Sequence, residues 1–291
     1  MTQQDRPLYS PMRMREVLER HGFTFSKSLG QNFLIDGNIL RKIATTGVDE
    51  GDFVLEIGPG FGVLTRELAL RAEKVLAVEM DRRLEPVLEE TLAGVDNVAI
   101  HFDDVLKTDL ATLFAAHFGA GARVSLVANL PYYVTTPILS AVLTGDLPFK
   151  RVTVMVQKEV AERMVARPGT KAYGSLSVFV QYFTRPTLAF VVPPSVFYPR
   201  PKVSSAVVTM DVLGKKNDRA FFAVVRAAFG MRRKTLLNAL AGGLEMEKSV
   251  IEDAIREAGL VPSVRGEALT MEDFDALARA IETRNPAIAE A

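Results

Sequence analysis

Short apolar runs alternating with stretches of helical apolar spacing constrain this chain more than any other feature. "FVLEIG", "KVLAVEMD", "VAIHFDDVL", "RVSLVANL" and "RVTVMVQ" read as strands, and "VLTRELALRA", "RLEPVLEETLAG" and "TPILSAVLTG" between them read as helices. Strands separated by helices predict a parallel, doubly wound α/β sheet. "TLAFVV" and "SSAVVTMDV" add two strands with only the proline-rich "PPSVFYPRPK" between them, so the sheet is expected to close with an antiparallel pair. "LGKKND" then reads as a linker. Beyond it "FFAVVRAAF", "RKTLLNAL", "KSVIEDAIREAG" and "FDALARAI" all have helical periodicity, which predicts a small all-helical domain. The expected domains are 1–213, with an irregular basic lead-in before the first strand, and 214–291.

The length of 291 residues allows two domains of about 150 residues each. With no cysteine, disulfides, thiolate metal sites and cysteine nucleophiles are excluded, and no metal is expected. The first residues lack the apolar core of a secretory signal, and no run approaches the roughly eighteen apolar residues of a membrane span. A soluble cytoplasmic protein is expected. The formal charge of zero hides an asymmetry: residues 181–240 hold ten Lys and Arg against two Asp, and residues 241–291 hold five against eleven acids. The basic block suggests a face for an anionic polymer, against the plainer reading of a solvated surface.

"VLEIGPGFGVLTREL" places Gly58, Gly60 and Gly62 at alternate positions between a strand and a helix. Bare backbone there lets the chain turn sharply and a nucleotide approach the helix N-terminus. Val63 stands where a dinucleotide fingerprint needs its third glycine, and no Gly-Lys-Ser/Thr follows for a P-loop. E-x-G-x-G-x-G, with Glu56 on the preceding strand, is instead the pattern of S-adenosylmethionine enzymes. Glu79 ends the second strand, where a carboxylate can accept from ribose hydroxyls, and Asp104 follows the third, where one can accept from an adenine amino group. Singly, such acids are more often caps; together at one sheet edge beside a glycine loop they read as a ligand site.

The fourth strand ends at the same edge in Asn129-Leu130-Pro131-Tyr132. An exocyclic base amine is a poor nucleophile because its lone pair is delocalised into the ring. The Asn129 side-chain carbonyl and the Leu130 backbone carbonyl can hold the two amine hydrogens, while Pro131 stiffens the bend and lacks a competing N–H. That is alignment, not base catalysis. Tyr132 offers a flat face to an unstacked base, and Phe197, or alternatively Tyr198, offers a second.

"KSLGQNFLID", "LEIGPGFGVLT", "NLPYYVTTP", "VFYPRPKVSSAVV" and "AAFGMRRKTLLNAL" together resemble the small-subunit ribosomal RNA adenine dimethyltransferases along almost the whole chain, with no departure within these motifs. The resemblance implies a Rossmann-like, seven-stranded, S-adenosylmethionine-dependent methyltransferase sheet followed by a helical RNA-binding domain. It implies transfer of methyl groups to N6 of two adjacent adenosines near the 3′ end of 16S rRNA, in the small (30S) subunit or its precursor, during ribosome biogenesis, by a chain expected to be a monomer. Asn32 and Leu34 then match the segment that closes over the cofactor, and Gly58, Glu79, Asp104 and Asn129 match the cofactor-contacting positions. Asn129 to Tyr132 match the target-base motif, and Phe197 its stacking aromatic. "MRRK" at 231–234 is expected on a helix, where Arg232, Arg233 and Lys234, with Lys202, Lys215, Lys216 and Arg226, grip phosphates, and Lys27 adds to that surface. The tail after Asn285 is expected to be disordered. Two rivals share the motifs: a large-subunit adenine dimethyltransferase of the macrolide-resistance type, and a non-catalytic assembly or transcription factor on the same fold.

Overall fold

The structure is a computed structural model and describes residues 6–26, 30–119, 121–231 and 233–289. It begins with α1 (Pro11–Arg20), β1 (Phe33–Leu34), α2 (Gly37–Gly47), β2 (Phe53–Ile57), α3 (Val63–Ala69), β3 (Lys74–Glu79), α4 (Glu85–Thr91) and β4 (Val98–Phe102). There follow α5 (Leu110–Phe118), β5 (Val124–Asn129), α6 (Thr135–Thr144), β6 (Phe149–Gln157), α7 (Lys158–Met164), α8 (Ser175–Phe183), β7 (Thr184–Val192), β8 (Phe197–Tyr198) and β9 (Ser205–Val212). The remaining helices are α9 (Arg219–Gly230), α10 (Leu236–Gly243), α11 (Lys248–Glu257) and α12 (Met271–Arg284).

Seven strands form one sheet in the order β4-β3-β2-β5-β6-β9-β7. β2 to β6 pair in parallel, and β9 runs antiparallel to β6, so the last strand in sequence lies inside the sheet and β7 forms its edge. Val54, Leu55, Val75, Leu76, Leu126 and Val127 are fully or almost fully buried, as expected of strands covered on both faces. The chain runs outward from β2 to β4 and then returns to the other side of β2 as β5. That reversal opens a crevice at the carboxyl ends of β2 and β5, the usual ligand position in such sheets.

A second, two-stranded sheet pairs β1 with β8, with Phe33 opposite Tyr198 and Leu34 opposite Phe197. The Ile35 N–H extends it by donating to the Val196 carbonyl at 2.9 Å. Strands of two residues carry too little periodicity to be read from sequence, and neither was expected. α1 was also unexpected. Its buried face is Met14, Val17 and Leu18, and at its C-terminal end Arg20 and His21 bond Glu90 just before α4 ends.

The chain divides into two compact units, one of residues 1–161 and 187–212, the other of residues 162–186 and 213–291. The cut near 213 coincides with the linker read from sequence, but residues 162–186 cluster with the helical unit and not with the sheet. The reason is aromatic: Tyr182 on α8 lies 4.6 Å from Phe221 and 4.9 Å from Phe222 between ring centroids, and Phe183 stacks on Phe222 at 5.5 Å. In the same unit α9 packs on α10 and α12, Asp218 caps α9 through the Phe221 N–H, and Thr270 and Asp273 form a reciprocal capping box on α12.

Two sequence expectations are corrected here. Met231, Arg233 and Lys234 do not lie on a helix. α9 ends at Gly230, and Met231, Arg233 and Lys234 form the exposed turn before α10, closed by the Lys234 N–H on the Met231 carbonyl. Nor is order lost directly after Asn285: Pro286–Ala289 make a 3-10 turn whose Ile288 is buried.

Candidate active site

The register Ile57 to Ala128 brings the residue after each, Gly58 and Asn129, side by side at the crevice. Both line a cleft with about 1150 Å³ of space, counted out to its open mouth. The glycine loop continues the sheet for one bond, from the Gly58 N–H to the Val78 carbonyl, before the Gly62 N–H turns back onto Pro59 and α3 begins.

All three loop glycines have left-handed backbones, at φ +72°, +57° and +81°, but they are needed for different reasons. A Cβ on Gly60 would stand 2.8 Å from Cε1 of Phe33, and one on Gly62 3.0 Å from Thr91 Oγ1 and 3.2 Å from Leu88. A Cβ on Gly58 would meet nothing within 4 Å. Gly60 therefore admits the β1 segment and Gly62 lets α3 pack against α4, while a Cβ at Gly58 would enter open space beside the cleft that Gly58 lines.

Glu79 is buried, and its carboxylate ties this loop to β3: Oε2 accepts from the Gly60 N–H at 3.1 Å and Oε1 from the Asp81 N–H at 2.8 Å. Burial pushes its pKa up against the pull of those two N–H groups. Glu56, 1% exposed, is pushed to about 8 by burial, with the neighbouring charge of Glu79 adding to it. Its Oε2 has no hydrogen-bond partner among the described residues. Asp104 lines the cleft and accepts from the Leu106 N–H at 3.0 Å.

Asn129 is held by one side-chain bond, from its Nδ2 to the Asn32 carbonyl at 3.2 Å. No donor among the described residues reaches its Oδ1. Asn32 in turn donates to the Gly30 carbonyl, and the buried Leu34 lines the same cleft. The Leu130 N–H continues the ladder to Met155, and the Pro131 carbonyl accepts from the Val134 N–H. The Tyr132 hydroxyl lies 2.9 Å from Ser205 Oγ, which pins the ring. Phe197 is buried and forms part of the cleft wall; Tyr198, the alternative, packs against Phe25 and under Arg15 and does not line it.

Several contributors went unread in the sequence. Gln31 bridges the Ser26 N–H and Asp81 Oδ2, and Arg83 pairs with Asp81, which fastens the lead-in to the end of β3. Burial raises the Asp81 pKa, but the bonds from Arg83 and Gln31 outweigh it and hold the carboxyl below its usual range. Phe33 and Ser205 act by position alone. Gln31 lies inside a quoted motif, yet nothing local in the sequence links it to a residue fifty positions on.

Of the cations, Lys202 is exposed in the sheet unit, and Arg226, Arg233 and Lys234 are exposed in the helical unit. Lys215 lies over the Tyr182 ring at 4.6 Å, and the Lys216 carbonyl accepts from the Tyr182 hydroxyl. Lys27 and Arg232 lie outside the described residues. Among the described residues no group of three or more His, Cys, Asp or Glu is placed to hold a metal ion, and no helix is long and apolar enough to cross a membrane.

The family model for ribosomal RNA adenine dimethylase matches residues 22–274. The ribosomal RNA small subunit methyltransferase A of Alkaliphilus oremlandii is 49% identical over 276 residues, covering 92% of this chain and 96% of its own. That of Bacillus pumilus is 46% identical over 287 residues, covering 96% and 98%. Among solved structures, a dimethyladenosine transferase from Plasmodium falciparum superposes with a TM-score of 0.71 at 27% identity, over 87% of this chain and 98% of its own. The 23S rRNA methyltransferase ErmE does so with a TM-score of 0.65 at 25% identity, over 86% and 99%.

Proposed function

The chain belongs to the ribosomal RNA adenine dimethylase family, and on that premise we propose that it methylates N6 of two adjacent adenosines near the 3′ end of 16S rRNA, in the small ribosomal subunit or its precursor. The methyl donor in this reading is S-adenosylmethionine, which when bound supplies a methyl group made electrophilic by a cationic sulfur. The residues of the cleft fit it. Gly58 leaves bare backbone facing the ligand, and the Glu79 carboxylate oxygens, each accepting one N–H, keep lone pairs for ribose hydroxyls. Asp104 Oδ2, which faces the Lys107 ammonium at 3.9 Å, can still accept from a base amino group, and Glu56, largely protonated at neutral pH, can donate as well as accept.

One observation carries the reading on the RNA side: the Asn129 amide is committed through Nδ2 to the Asn32 carbonyl, which leaves Oδ1 as the acceptor at the cleft. That oxygen and the Leu130 carbonyl can hold the two hydrogens of an exocyclic amine and so turn its lone pair out of the ring. Tyr132, pinned by Ser205, and Phe197 in the wall are positioned to bound the base. Arg226, Arg233 and Lys234, with Lys202, are assigned to phosphates, and Lys27 and Arg232 join them in the same proposal.

The test is incubation of the protein and donor with small subunits lacking the modification, with large subunits in parallel, followed by mass-spectrometric mapping of methylated nucleotides. Two neighbouring dimethyladenosines in 16S rRNA are expected. Methylation of 23S rRNA, the activity named for ErmE, or no transfer to either subunit, would overturn the assignment.

A further inference from the structure

The segment Asn-Leu-Pro-Tyr-Tyr ends in two tyrosines that the structure holds differently. Tyr132 is half-buried, and its hydroxyl is tied to Ser205, a serine with 1% exposure at the start of β9. Tyr133 is 59% exposed and has no hydrogen bond, ion pair or ring contact among the described residues. Its backbone is nevertheless fixed. The Val134 N–H and the Thr135 hydroxyl both donate to the Pro131 carbonyl at 3.2 Å, and α6 starts at once.

The Tyr133 ring sits at the cleft itself, with Cδ1 and Cε1 3.6 and 3.7 Å from where a Cβ on Gly30 would stand. Among the large apolar side chains left exposed in the described residues, only Met80 and Tyr133 line this cleft. Met80 follows Glu79, on the donor side; Tyr133 follows Tyr132, on the side of the base. An aromatic ring on a rigid turn at the mouth of a cleft is a stacking surface without a protein partner.

An adenine that enters the cleft leaves its stack, and the base beside it loses a neighbour in the same step. The geometry points to Tyr133 as the platform on which that adjacent base stacks while the target is held inside. The inference rests on the RNA reading above and adds a second nucleotide to the recognised substrate. Aromatic platforms accept any base because every base has a π-face.

The test compares Tyr133→Ala, Tyr133→Leu and Tyr133→Phe in steady-state methylation of unmodified small subunits. Loss of the ring in the Ala and Leu variants is expected to raise KM for the subunit about tenfold, with kcat and donor affinity by calorimetry within about twofold of wild type. Tyr133→Phe, which keeps the ring, rescues KM. Small subunits carrying 2-aminopurine beside the target should show quenched fluorescence on binding wild type but not Tyr133→Leu. A wild-type KM in Tyr133→Leu overturns the platform, and so does a loss of donor affinity in step with KM, which would make the ring a wall of the donor site. If wild-type protein transfers no methyl group to small subunits, the functional reading fails first and takes this inference with it.

Discussion

Asn129 makes one side-chain hydrogen bond, and the direction of that bond decides what the residue can do. Nδ2 faces Asn32, so the cleft receives an acceptor that cannot take a proton. Asn129→Ala removes it, and single-turnover transfer is expected to slow by about a hundredfold, the scale of a misaligned reacting atom, while RNA affinity stays within a few fold. Glu56 makes a different prediction. Its folded pKa of about 8 lies above the ordinary 4.5, so between those values the folded chain holds a proton that the unfolded chain releases. Its contribution to stability is complete below pH 4.5 and is lost as pH rises toward 8. Thermal melts at pH 5 and pH 8 should therefore differ less in Glu56→Gln than in wild type.

The glycine loop shows how one motif serves three packing problems at the level of elements. Gly62 meets α4 and Gly60 meets Phe33 of β1, whereas Gly58 meets nothing of the protein within 4 Å. An alanine at either Gly58 or Gly62 is strained by its left-handed backbone, at a cost of about 1–3 kcal/mol. Gly62→Ala adds contacts with Thr91 and Leu88 and should lower the urea midpoint more. Gly58→Ala should lower donor affinity more, since its methyl enters the cleft. Equal losses of stability and of affinity in the two variants would contradict this division of roles. The β1–β8 pair belongs to the same scale: four residues, drawn from two ends of the sheet unit, bring Leu34 and Phe197 to one wall.

At the scale of the whole molecule, the chain passes between its two units after Ala161, Pro186 and Val212. A fragment ending at residue 213 would keep α8 and lose Phe221 and Phe222, which pack against Phe179, Tyr182 and Phe183. Such a fragment is expected to bind the apolar dye ANS strongly and to aggregate, which light scattering would register. The linker "LGKKND" looks like a place to cut; the helices before it make it a poor one.

The sequence by itself determined the strand order along the chain, the glycine loop, and the acids at successive strand ends, because periods of two and 3.6 residues and glycine punctuation are local properties. It also placed Asn129 at the sheet edge, since the strand before it has a readable end. Tertiary structure alone decided the rest. The hold of Asn32 on Asn129 spans 97 residues, and that of Ser205 on Tyr132 spans 73. The pairing of β1 with β8 and the transfer of α8 to the helical unit likewise depend on which distant surfaces meet. No local pattern encodes such a meeting; it is set by how the whole apolar surface is buried at once.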